Sequence, residues 1–285
     1  MPRRRLAIGL FITAAVVAVL AYGSLWVSMG WPWGANHWLV SSGSHSGYRQ
    51  VTASAVSRVV IAASGQAVQV STAPGSVITV AWSSAGSPQR AVHLVRQGAT
   101  VHISFQPPAA VVWSWSLFRQ PSAVLDVALP PGLTLDTNVG SGSLSVTGVY
   151  RQVSAEVQAG TLHISHFQGA LLASVGLGAL GVEQATITGP LSLSTHTGVV
   201  DFWGDPGRQA TITDNLGAVD LQLEPTGRLQ VTVRVGLGSF TTAGFSQISG
   251  GAHSGIYSGT IGQGTAGSLL VTDAAGAVTM VPYRP

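Results

Sequence analysis

The chain has 285 residues, 46% hydrophobic and only 8% charged, with a formal net charge of +3. It has no lysine, and it has no cysteine, which excludes disulfide staples and thiolate metal sites. Setting aside Arg3, Arg4 and Arg5 leaves ten arginines against ten acids, so a basic patch for a nucleic acid backbone has no source.

Those three arginines precede an uncharged run from Leu6 to Met29, and the next formal charge is Arg49. About 20 apolar residues suffice to cross a bilayer as a helix, and flanking arginines favour the cytoplasmic side. The pattern predicts a cytoplasmic tail at 1–5 and a transmembrane signal-anchor helix at 6–29. The rest of the chain is then held outside the cell membrane. Trp26, Trp31, Trp33 and Trp38 fit an aromatic belt at the outer interface. The competing reading is a cleaved signal peptide, with Ala21-Tyr22-Gly23 as the small-residue site. The length of the run and its tryptophan flank favour the retained anchor. Residues 30–50 read as a stalk, and 51–285 as one extracytoplasmic β-strand-repeat domain. Low charge without lysine suits a surface facing acid or high salt.

From residue 51 to 135 the sequence predicts short strands. Val59-Val60-Ile61, Val68-Gln69-Val70 and Val77-Ile78-Thr79-Val80 are divided by Ser64-Gly65 and Pro74-Gly75 turns. Ala91 to Val95 and Thr100 to Phe105 read as a hairpin pair. Val124 to Leu129 then leads into the next segment through Pro130-Pro131-Gly132. These strands are expected to form the first rungs and a cap, since a bare stack end offers unpaired edges.

A glycine then recurs at Gly142, Gly160, Gly178, Gly198, Gly217 and Gly238, with gaps of 18, 18, 20, 19 and 21, and a last one at Gly276. Two and four residues after each glycine the side chain is usually apolar, as in Leu144/Val146, Leu162/Ile164, Leu180/Val182 and Val200/Phe202. The residue between them is polar or small: Ser145, His163, Gly181, Asp201, Asp220, Thr241 and Thr279. A period of two predicts a strand with one buried and one exposed face. A second alternation precedes the glycine, as in Ala155/Val157 and Ala173/Val175. One such rung cannot bury its apolar face alone, whereas stacked rungs form a continuous core. The expected fold is an all-β solenoid, a β-helix-like stack of repeats, behind one N-terminal transmembrane helix.

The Val127-Ala128-Leu129-Pro130-Pro131-Gly132 lead-in and rungs such as Gly140 to Val146 resemble bacterial "putative adhesin" domains of unknown function. The ending, Gly267 to Val271 and Gly276 to Met280, is similar to their closing rungs. The resemblance covers roughly 55–282. It implies a β-strand-repeat fold, a single N-terminal anchor and, for some members, association with envelope stress systems. It supplies no catalytic residues.

Two G-x-G-x-x-G matches, Gly176 to Gly181 and Gly262 to Gly267, precede strand patterns rather than a helix. They therefore lack the helix N-terminus that receives a pyrophosphate, and no cofactor is expected. His163 and His166 are three apart on a strand, so they point to opposite faces unless the chain bends. Trp113, Trp115 and Leu117 share one face if extended, as a glycan or lipid platform or a cover for the stack end.

Asp201 and Asp220 form the constellation worth testing. Both hold the exposed third position of adjacent repeats, which places them one strand spacing apart, about 4.8 Å. Asp205 and Asp214 lie nearby in the chain, read as within or beside connecting loops. Such a ladder can bind a cation, act as an acid/base pair on sugars, or stay solvated. Two function classes follow. One is a non-enzymatic, membrane-anchored envelope module contacting wall polymer, lipid or an envelope protein; the other is a carbohydrate-active β-helix enzyme.

Overall fold

The computed structural model describes residues 44–85, 92–105, 123–224, 227–245, 247–251, 255–263 and 266–283. Arg3, Arg4, Arg5, the predicted span 6–29 and the Trp113/Trp115/Leu117 face lie outside the described residues. Among the described residues every regular element is a strand, so the fold is all-β. None of them forms a helix long and apolar enough to cross a membrane.

The centre is a continuous ribbon, β8 (Thr134–Asp205), which folds back on itself at each repeat. The repeat glycines make the stacking visible. A Cβ built on Gly160 would sit 1.8 Å from the Gly142 carbonyl oxygen, one on Gly178 1.8 Å from that of Gly160, and one on Gly198 1.6 Å from that of Gly178. Each rung thus presses its glycine backbone against the one before, an approach that any side chain would block. Gly178 needs glycine twice over, because its φ of +136° is also a conformation that L side chains rarely adopt.

Beyond β8 the ladders stay parallel and in register. Gly198 pairs with Gly217 on β9 (Gln209–Leu223). The next rung is not the next in sequence. Gly217 pairs with Gly276 on β13 (Ala266–Pro282), and Gly276 pairs with Gly238 on β10 (Arg228–Thr242). The C-terminal strand is therefore inserted between β9 and β10, where a simple coil would have placed it last.

The other end shows the same intercalation. β2 (Arg58–Ala63) and β3 (Gln66–Thr72) lie against the two halves of the first β8 rung, Arg58 opposite Thr134 and Gln66 opposite Gly142. Outside them lie β6 (Thr100–Phe105) and β7 (Ala123–Leu129), although these follow in sequence. Antiparallel strands then cover both ends. β4 (Val77–Ala85) pairs with β7, β1 (Ser44–Thr52) with β4, and β5 (Val92–Gln97) with β6 in the expected hairpin. At the far end β12 (Ile256–Ile261) pairs with β10, and β11 (Ser249–Gly251) with β12. β1 begins at Ser44, inside the stretch read as a stalk.

The alternation sets the core. Leu144, Leu162, Leu180, Val200, Val219 and Val278 are buried two residues after their glycines. At the end rung Phe240 is only partly buried, because among the described residues β12 pairs with Leu229–Arg234 and no strand pairs on the outer side of the Phe240 half of β10. It leans on Tyr257 with ring centroids 4.7 Å apart.

Candidate functional site

The third-position row runs along the exposed face after the glycines. Asp201 on β8 pairs with Asp220 on β9, so the predicted carboxylate ladder is present in register. Asp220's other neighbour is Thr279 of the inserted β13. The preceding rung offers Gly181 at this position, and His163 leans over it, with Nδ1 3.4 Å from where a Cβ would be.

Asp201 has its carboxyl pushed up to about 6, first by the surrounding protein displacing water, then by the charges of Asp220 and Glu183. The residue as a whole remains exposed, so solvent still screens part of this penalty. Near neutrality the ladder holds a proton more readily than two isolated aspartates would.

Two residues on from Asp201, and so on the same face, stands Trp203. Its ring packs on Tyr283 at a centroid distance of 5.0 Å and a tilt of 34°. Tyr283 is fixed there by its own backbone, whose N–H donates to the Leu223 carbonyl at 3.0 Å. Trp203 carries no motif that marks it, although its spacing of two from Asp201 puts both on one face. Tyr283 had no comparable signal, since it reaches Trp203 only through the insertion of β13. The arrangement is a partly exposed aromatic pair beside an acidic ladder, on an open sheet face.

The remaining candidates separate. Asp205 ends β8, and its Oδ1 accepts the Gly207 N–H at 3.0 Å, closing the turn into β9. Asp214 is not in a loop: it lies in the middle of β9 and is fully buried, which removes it from the exposed acidic group. His166 has a φ of +49°, so the strand does bend after His163, as a joint site would require. Even so, among the described residues no three His, Asp or Glu side chains converge as a metal would need. A shallow depression on the pre-glycine half of the rungs is lined by Ser154, Glu156, Leu172, Ser174, Ser192 and Ser194. Its single acid, Glu156, accepts from Asn138 at 3.2 Å.

No protein-family model and no curated protein matches the chain. Similar solved structures exist. One, described as a putative cell adhesion protein from Clostridium sporogenes, aligns with 84% of this chain and 100% of its own at 10% identity and a TM-score of 0.46. Another, described as a putative adhesin from Bacteroides fragilis, aligns with 84% of this chain and 97% of its own at 9% identity and a TM-score of 0.35.

Proposed function

We propose that the chain is a membrane-anchored, extracytoplasmic β-solenoid that binds an envelope polymer and catalyses nothing. The observation that carries this reading is the pairing of Trp203–Tyr283 with Asp201–Asp220 on one flat face. Sugar rings present C–H faces that pack on aromatic side chains, while their hydroxyls donate to carboxylates. A surface repeated every strand spacing suits a repetitive polymer, because many weak contacts add up along it. Residues 6–29 anchor the module, and Arg3, Arg4 and Arg5 keep the N-terminus cytoplasmic.

The test is co-sedimentation of the detergent-solubilised full chain with cell-wall polymer and with lipid vesicles, with and without calcium. Trp203→Ala should reduce wall retention without altering the fold. Retention that requires calcium and is lost in Asp201→Asn/Asp220→Asn would make the ladder a cation bridge to the polymer. Retention on neither surface would sink the reading and leave an envelope protein as the partner.

One observation favours catalysis as a second reading. A carboxyl that titrates at about 6 stands directly across the ladder from a second aspartate, and a backbone spacing of about 5 Å allows the separation used in retaining glycoside hydrolysis. Release of reducing ends from wall polymer, abolished by Asp201→Asn, would support it over binding alone.

A further inference from the structure

Three residues before each repeat glycine, the side chain points into the core. Along the stack this column reads Val157, Val175, Thr195, Asp214, Asp273 and Val235, every member buried. Backbone register places Thr195 opposite Asp214, Asp214 opposite Asp273, and Asp273 opposite Val235. Two carboxylates thus lie on neighbouring strands at 0% and 1% exposure, in a column whose other members are valines and Thr195.

Their hydrogen bonding is incomplete. The Thr195 hydroxyl donates to Asp214 Oδ1 at 2.5 Å. No donor meets full hydrogen-bond geometry at Asp214 Oδ2 or at either oxygen of Asp273, although the Asn215, Leu216 and Ala275 amides lie close enough to favour the charged forms. Both side chains reach toward their own glycines, with Asp214 Oδ2 2.9 Å from where a Gly217 Cβ would be and Asp273 Oδ2 3.1 Å from that of Gly276. Among the described residues neither carboxylate has an arginine or histidine within ion-pair distance; His196 acts on Asp214 only from farther off.

The groups around the pair are few. From β8 come Thr195 and, on the exposed side, His196, which is hydrogen-bonded to Asn215 at 2.9 Å. From β10 comes Val235, with the exposed Arg234 beside it. Two adjacent buried anions cannot both stay ionised without a partner. Calcium would want six to eight oxygens and magnesium about six, whereas only three carboxylate oxygens are free here. A single proton needs only two. Placed between the carboxyls it turns one oxygen into a donor and meets an otherwise unpaired acceptor on the next strand.

We propose that Asp214 and Asp273 share one proton across the β9–β13 ladder, and that this bridge fastens the inserted C-terminal strand at acidic pH and loosens it when the proton leaves. The electrostatics agree with the geometry. Burial, then the Asp214 charge, lifts Asp273 to about 6, while the nearby Ala275 amide pulls it partly back. Burial also raises Asp214, against the Thr195 hydroxyl, the Asn215 and Leu216 amides and His196. The two titrate as a pair.

Both groups have ordinary values near 3.8 and raised values in the fold. Between about 4 and 6 the folded chain therefore holds more protons than the unfolded one. The contribution is complete below about 4 and is lost as pH rises through about 6. A domain built this way is tightest in acid.

Thermal melting of the detergent-solubilised full chain between pH 4.5 and 7.5 tests the bridge. The melting temperature should fall by roughly 5 °C or more across that window. Asp273→Asn and Asp214→Asn each remove the repulsion and should flatten the slope in the Asp201→Asn background, which takes away the separate share of the solvent-screened Asp201. A wild-type melting temperature that is flat or rises with pH overturns the proposal, as does an Asn variant that keeps the full slope. Calcium that raises the melting temperature at pH 7.5 in the wild type but not in Asp273→Asn also overturns it, making the pair a cation site. If neither Asn variant folds, infrared spectra of isotope-labelled Asp126→Asn/Asp201→Asn protein decide. A protonated-carboxyl stretch present at pH 5 and lost by pH 7.5 supports the bridge, and its absence at pH 5 refutes it.

Discussion

Gly178→Ala isolates what the glycine column does. The new Cβ would sit 1.8 Å from the Gly160 carbonyl oxygen and 2.9 Å from its carbon, at a φ of +136°. The backbone strain alone costs about 1–2 kcal/mol. The clash cannot be relieved by rotating a side chain, because the obstacle is the backbone of the adjacent rung. Separating the rungs weakens ladder hydrogen bonds at about 1 kcal/mol each and loosens the packing on both sides by about 1–3 kcal/mol. The expected loss is about 3–5 kcal/mol, a large share of the roughly 5–15 kcal/mol that holds a domain together. The melting temperature should fall by about 10 °C. Gly75→Ala is the control: its φ is +125°, but a Cβ there meets nothing within 4 Å. It carries the strain without the clash and should cost about 1 kcal/mol. Melting curves of both variants by circular dichroism give the comparison. Equal losses would refute the close-stacked glycine spine and leave only a preference for unusual dihedrals.

Phe202→Ala, at 2% exposure, should cost about 3–5 kcal/mol in denaturant titration, and Phe240→Ala, on the half-covered end rung, clearly less. Asp220→Asn should move the Asp201 carboxyl back toward its ordinary value of 3.8, since the Asp220 charge helps to raise it. Carbon-detected NMR titration reads that directly, and an unchanged midpoint would mean burial acts alone. The same raised value means any cation affinity of the ladder should grow as pH rises through about 6, as binding curves at pH 5 and 7.5 would show. Deleting residues 264–285 should abolish the monomeric fold, because it removes an interior rung and leaves facing edges on β9 and β10. A monomeric, β-rich truncation product in size-exclusion chromatography would contradict the inserted position of β13.

Much of the stack was legible because its determinants are local. A glycine every nineteen or so residues and an alternation of two around it fix which side chains are buried, and they placed Asp201 opposite Asp220 correctly. Trp203 on the Asp201 face follows from the same alternation. What is not local could not be read in this way. Asp214 looked like a loop acid because Thr213 and Asn215 flank it in a polar stretch. Only the count back from Gly217 puts its side chain inward, in the column that Val157 and Val175 occupy elsewhere.

Rung order was hidden for a related reason. Parallel in-register ladders accept any rung with the right alternation, and Val219, Val278 and Phe240 are nearly interchangeable at their shared position. The glycine column is equally indifferent, since each glycine needs only another backbone beside it. The column three residues upstream does discriminate. Stacked in chain order, Asp214 would keep Thr195 on one side but face Val235 on the other, and Asp273 would lie beyond Val235, so the two carboxylates would be separated. With β13 inserted, Thr195, Asp214 and Asp273 are contiguous and Val235 closes the row. The polar groups can then satisfy one another, as buried polar groups must. Swapping two rungs leaves the hydrophobic pattern nearly unchanged but decides whether two buried acids meet. The same pair that favours the inserted order also makes it sensitive to pH, so the device that selects the topology is the one that can release it.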